Sequence, residues 1–338
     1  MSTRTVHGTH PLSTTRPPAP RLGGRRRILR AVAMSATLPY LALKVTWLAG
    51  SRVGIPENSI LLKGGTVLAV ANALTLTMDA CVVLLALLLT RPWGRRVPGW
   101  LLTPPVFVAT GLLTPIVLAF PAQLLVRAVG LGAGEAVRAA REPFLDPWVY
   151  SVVYGGFILQ ALALAGLFVP YARERWGGRW QEALGRKLPP PTGVVAGVAA
   201  LTGAAVGVVQ AYWAFGGSAG LSAGRAAVYS AESGVVSAAH LTCALAAAAG
   251  AVTLARGGSR PARGPLVLTW IGSSATLCWG AWILAAGLGV NLGEEEDSGA
   301  LFLLTYAGQV ITGLLAGAVL THYLRARGRS RSGADAGN

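Results

Sequence analysis

Four ionisable side chains stand inside stretches that are otherwise apolar: Lys44, Asp79, Glu232 and His240. On insertion scales a charge at the centre of a bilayer costs roughly 2.5 to 3.5 kcal/mol, so these are the first places to look for chemistry. Two amides, Asn72 and Gln210, fall nearby in the same pattern. Counting rise per residue from the predicted helix ends, Lys44 lies ~8 Å below the outer surface, with Asn72, Gln210 and Glu232 within ~10 Å of it and Asp79 and His240 ~21 Å down. Together the six make a candidate polar cavity. In it Lys44 pairs with Glu232 in an outer vestibule, and Asp79 with His240 handles a proton or cation below. Tyr154 and Tyr306 are secondary candidates at matching depth.

Each residue also has a plainer reading. Lys44 can snorkel its ammonium to the outer headgroups. Glu232 sits in the interface if its helix begins near Gly234. A lone His240 is commonly a hydrogen-bonded packing residue. Asp79 is too short to snorkel, so it needs a polar partner wherever it faces. Trp47, Trp213 and Tyr212 read as interfacial anchors.

The chain lacks HExxH and CxxC metal motifs, a P-loop and a GxSxG elbow, so no metal and no cofactor is implied. Cys81, Cys243 and Cys278 fall in apolar blocks and read as small packing residues. The run Glu294, Glu295, Glu296, Asp297 reads as a solvated acidic turn, because contiguous carboxylates cannot all face one ion.

These residues need helices to hold them. Hydrophobic residues make up 53% of the chain and charged ones 12%, against about a quarter charged in soluble domains. The apolar residues come in blocks of about 20, the length that crosses a hydrocarbon core. The expected fold is all-α, a polytopic transmembrane bundle of eight spans: 31–49, 65–90, 100–126, 148–170, 192–213, 226–255, 265–290 and 300–323. Pro104, Pro105, Pro115 and Pro121 predict a bent third span.

The net charge of +16 comes from arginines between the blocks, which argues for topogenic charge and against a nucleic-acid partner. With the N-terminus inside, inner segments hold 22 basic residues and outer segments 6. Both termini are therefore expected in the cytoplasm, in a multi-pass protein of the cell membrane whose partner is the lipid bilayer. Arg25, Arg26 and Arg27 superficially fit a twin-arginine signal, but they also serve as the positive anchor of the first span.

The stretch from Lys44 to Ile55 returns from Gln210 to Leu221, a shift of 166 that also aligns Thr103 with Thr269 and Thr110 with Thr276. A shift of 152 aligns Tyr154 with Tyr306, Tyr171 with Tyr323, and Arg173 and Arg175 with Arg325 and Arg327. This reads as two parallel four-helix repeats. The expected units are a tail over 1–30, a first repeat over 31–175, a linker over 176–191, a second repeat over 192–327 and a tail over 328–338. An even number of spans orients both repeats alike, with a shared cavity between them. Tyr212-Trp213-Ala214-Phe215-Gly216-Gly217 resembles the signature of small four-span bacterial membrane proteins with no assigned activity. The resemblance implies a tandem fusion of two such units and no mechanism.

The leading functional expectation is a small-solute or ion permease-like protein, with room for a small-molecule ligand and protein partners unspecified. The alternatives are an integral membrane enzyme using Asp79 and His240 as acid and base on a lipid-soluble substrate, and a non-catalytic scaffold.

Overall fold

The structure, a computed structural model, describes residues 23–57, 59–62, 66–135, 137, 144–176, 182–291 and 299–335. It is 79% helical. The main helices in chain order are α1 (Gly24–Ser35), α2 (Leu38–Leu48), α3 (Thr66–Leu88), α4 (Gly99–Ala128), α5 (Pro147–Trp176), α6 (Thr192–Ala214), the short α7 (Ala223–Ala227), α8 (Ala231–Arg256), α9 (Arg263–Asn291) and α10 (Ala300–Asp335). A small antiparallel ribbon pairs β1 (Ala183–Gly185) with β2 (Gly258–Pro261).

Among the described residues, seven helical segments are long and apolar enough to cross a membrane, α1 and α2 counting together as one. The apolar part of α3, Asn72–Leu88, is shorter. The protein is a multi-pass helical membrane protein. Helix also covers residues 24–30 and 328–335, which the sequence assigns to tails, because arginine-rich turns lower hydropathy without lowering helix propensity. The acidic run at 294–297 lies outside the described residues.

The break between α1 and α2 has a local cause. Pro39 lacks the N–H that would continue the ladder, and the buried Thr37 hydroxyl donates to the Met34 carbonyl at 2.6 Å. In α4 all four prolines lie inside a continuous helix. In the turn that Pro115 loosens, the Leu112 carbonyl accepts a 2.9 Å hydrogen bond from the Trp279 indole of α9.

Each half has its own apolar core. Ala33, Leu85, Leu89, Leu102 and Leu167 pack in the first, and Ala247, Ala251, Leu254, Ala316 and Val319 in the second. Trp270 packs against both cores. It meets the Phe107 ring edge-on at 5.2 Å, and its indole donates to Thr110 Oγ1 at 3.3 Å. The halves thus join along α4, which lies against α8 and α9. The approach is close: a Cβ on Gly111 would fall 2.3 Å from the Ser274 carbonyl oxygen.

The loops after α2 and α6 share one geometry. Gly50 and Gly216 end their helices at φ 87° and 89°, and Gly54 and Gly220 follow at 73° and 80°, conformations that favour glycine. The Trp47 indole donates to the Val53 carbonyl at 2.7 Å, and the Trp213 indole to the Ala219 carbonyl at 3.0 Å. At the opposite end the Tyr171 hydroxyl donates to the Gly94 carbonyl at 3.3 Å and the Tyr323 hydroxyl to the Leu184 carbonyl at 3.5 Å. The Arg175 and Arg327 guanidiniums lie 5.8 and 5.4 Å from those phenol rings. In the first half Glu174 additionally clamps Arg26 of α1 and Arg95, the latter at 2.8 Å.

Candidate functional site

The six expected cavity residues divide into three groups. The first lies between α2 and α3. Lys44 Nζ donates to Asn72 Oδ1 at 2.6 Å, and the ammonium lies 5.0 Å from the Tyr40 ring and 5.4 Å from the Trp47 ring. At 8% exposure Lys44 does not snorkel; its stem and head are both enclosed. Asp79, 4% exposed, lies within reach of the Lys44 charge. Its Oδ2 has no hydrogen-bond partner among the described residues. Tyr40 bonds Thr75 and meets Phe157 edge-on at 5.2 Å, closing the group toward α5. The secondary candidate Tyr154 lies in an aromatic cluster beside it, 6.0 Å from Tyr150 and 5.1 Å from Phe120.

The second group is the centre of the second bundle. Gln210 of α6, His240 of α8, and Tyr306 and Gln309 of α10 are all buried. The His240 ring meets Trp279 at 5.9 Å and Tyr306 at 6.0 Å, both edge-on. Trp213 stacks on Tyr306 at 6.4 Å and is 4% exposed, so it packs inside the bundle where the sequence suggests an interfacial anchor.

The third group joins the halves. Glu232 Oε2 accepts from Arg127 Nη2 at 2.6 Å, its Oε1 accepts from the Ala133 N–H at 3.3 Å, and its carbonyl accepts from Gln123 Nε2 at 3.1 Å.

Three expectations are corrected here. Lys44 and Glu232 do not pair, because each has another partner: Asn72 for the lysine and Arg127 for the glutamate. Asp79 and His240 do not meet; α3 packs on first-half helices, whereas α8 packs on α6, α9, α10 and α4. The span around His240 begins at Ala231, not 226, because Val228–Ser230 separates the short α7 from α8. His240 is therefore nine residues in, ~14 Å from the helix start. Glu232 lies in the first turn of that helix at 3% exposure, so its side chain is enclosed by protein.

An open apolar groove of about 600 Å³ lies elsewhere, between α1, α2 and α5, lined by Ile28, Val32, Pro39, Val152, Gly155 and Leu159 among others. It contains none of the candidate polar residues.

Sequence reading missed Arg127, Gln309 and Gln160. Arg127 counts as loop charge in a hydropathy plot yet sits in the last turn of α4. Gln160 and Gln309 are 1% and 0% exposed. A neutral amide inside an apolar block was the available signal for both. Among the described residues, no three His, Cys, Asp or Glu side chains converge as a metal site. The chain matches no family model, no curated protein and no solved structure.

Proposed function

We propose that this multi-pass membrane protein is permease-like and moves a small solute or an ion. In this reading it has eight spans in the cell membrane, with both termini cytoplasmic, arranged as two repeated four-helix halves descended from a fused four-span unit. The shared loop geometry after α2 and α6, at the 166-residue shift, favours the repeat. The crowding of basic residues on the segments at one end favours the orientation.

The observation that carries the transport reading is Asp79. It is a buried carboxyl group, one oxygen of which has no hydrogen-bond partner among the described residues, set beside a buried lysine in an apolar helix pair. A group retained only to hold helices together gains nothing from an unpaired oxygen, since each unmet buried acceptor costs about 1 to 3 kcal/mol. A carboxylate that must exchange a proton or cation needs that open valence. Lys44 supplies the counter-charge that lets Asp79 be emptied and refilled. No observation favours the acid and base pairing of Asp79 with His240, which stand in different bundles. The test is flux through reconstituted vesicles, which Asp79→Asn should abolish in a protein that still folds.

A further inference from the structure

The open groove between α1, α2 and α5 runs along the outside of the first half and is lined almost wholly by apolar atoms. Two close approaches form its floor: a Cβ on Gly156 would fall 2.9 Å from the Ala36 carbonyl oxygen, and one on Gly166 would fall 3.0 Å from Leu29 Cδ1. At Gly155, on the α5 wall, an added Cβ would meet nothing within 4 Å. Ile28 and Leu159, on the two walls, are 65% and 52% exposed. From Ile28 to Pro39 the groove rises ~16 Å, about half of a ~30 Å hydrocarbon core. That is the depth of one acyl chain in its own leaflet.

The end of the groove at Ile28 is basic. One turn before Ile28, helical spacing puts Arg25 on the lining face and Arg27 at its border, with the small Gly24 between them. Arg173 continues the lining face of α5, and the ion pair of Arg26 with Glu174 sets the three arginines at one level. All three are exposed. The nearby acid, Glu174, is already matched by Arg26 and Arg95, so this end keeps its positive charge.

We propose that the groove binds an anionic glycerophospholipid, with one acyl chain lying along it and the phosphate at Arg25, Arg27 and Arg173. Lipid tails are as apolar as the groove, so burial alone selects no lipid. Selection comes from the headgroup, where guanidiniums make charge-assisted hydrogen bonds to phosphate oxygens. A zwitterionic headgroup brings an ammonium that opposes this. A second copy of the chain fits less well: two copies oriented alike in one bilayer and paired over this groove would set Arg25 and Arg27 against their own counterparts. The chain would end at Pro39, beside Tyr40, bracing the break between α1 and α2 next to the Lys44 group. Nothing in the fit depends on Asp79 or on transport.

Native mass spectrometry of the full chain, released from detergent after titration with dioleoylphosphatidylglycerol or dioleoylphosphatidylcholine, tests it. Wild-type protein should hold phosphatidylglycerol roughly tenfold more tightly than phosphatidylcholine. Arg25→Gln, Arg27→Gln and Arg173→Gln combined should abolish that preference. Gly155→Phe, and Ala31→Phe from the facing wall, should each remove the tightest-bound phosphatidylglycerol from the spectrum while the thermal midpoint in detergent holds. Equal retention of the two lipids by wild type would overturn the proposal, as would a preference that survives in the triple variant or a lipid still held by the folded phenylalanine variants. A dimer that Gly155→Phe splits would seat a second copy in the groove and overturn it as well.

Discussion

Arg127 on α4 and Glu232 on α8 meet at 2.6 Å across the contact between the two halves, and their side chains are 48% and 5% exposed. The pair is therefore lopsided: the cation keeps much of its water while the carboxylate has lost nearly all of it. Which partner is removed should decide the cost.

Arg127→Ala takes the guanidinium from a buried carboxylate that also accepts from the Ala133 N–H. Breaking a fully buried pair costs about 3 to 5 kcal/mol, and the exposed arginine discounts this to about 1 to 3 kcal/mol. Glu232→Gln leaves a half-solvated guanidinium and retains a side-chain acceptor, so it should cost under about 1 kcal/mol. Thermal unfolding in detergent should give that order, and the reverse order would mean that the carboxylate is solvated.

Lys44 and Asp79 should show coupling of opposite sense to simple additivity. Lys44→Met leaves Asp79 without its counter-charge and should lower the thermal midpoint. Adding Asp79→Leu removes the remaining buried charge and should restore much of the loss, because replacing a buried pair by apolar residues is often neutral or stabilising by about 1 to 4 kcal/mol. A double-mutant cycle reads the coupling directly. A value within about 0.5 kcal/mol of zero would show that the two side chains do not interact.

Glycine packing along the seam makes a contrast within one chain. Gly111→Ala would drive a Cβ into the Ser274 backbone and should destabilise by about 1 to 3 kcal/mol. At Gly155, in α5, an added Cβ would meet nothing within 4 Å, so Gly155→Ala should be neutral or stabilise by up to about 1 kcal/mol. Equal effects of the two substitutions would contradict the close approach of α4 to α9.

How far the sequence reaches follows from what each signal measures. Hydropathy counts residues along an axis, so it locates helices well; the third expected span, 100–126, lies within Gly99–Ala128. The Trp and Gly spacing that repeats after 166 residues is matched by loops of the same geometry. Partner choice was not legible in the same way. Lys44 and Glu232 have complementary charge and similar depth, but depth is one coordinate of three, and rotation about the helix axis turns each to a different neighbour. Arg127 escaped notice because it sits on the boundary that hydropathy draws least well. Gln309 did so because a neutral amide hardly changes a window average.

Orientation is open to chemical labelling. Ser218 and Ser259 are exposed at opposite ends of the bundle, and the native Cys81, Cys243 and Cys278 all lie within helices. Ser218→Cys should react with a membrane-impermeant maleimide on intact cells, and Ser259→Cys only after permeabilisation. Labelling of Ser259→Cys without permeabilisation would refute the proposed topology.

The transport reading rests most heavily on Asp79, and flux into sealed proteoliposomes across a panel of ions and small solutes tests it most directly. Wild-type protein should carry at least one of them well above protein-free vesicles; Asp79→Asn should fall to the protein-free level, with Glu232→Gln as a folded control that retains flux. Undiminished flux through folded Asp79→Asn, or none from wild type for any solute in the panel, would contradict the account.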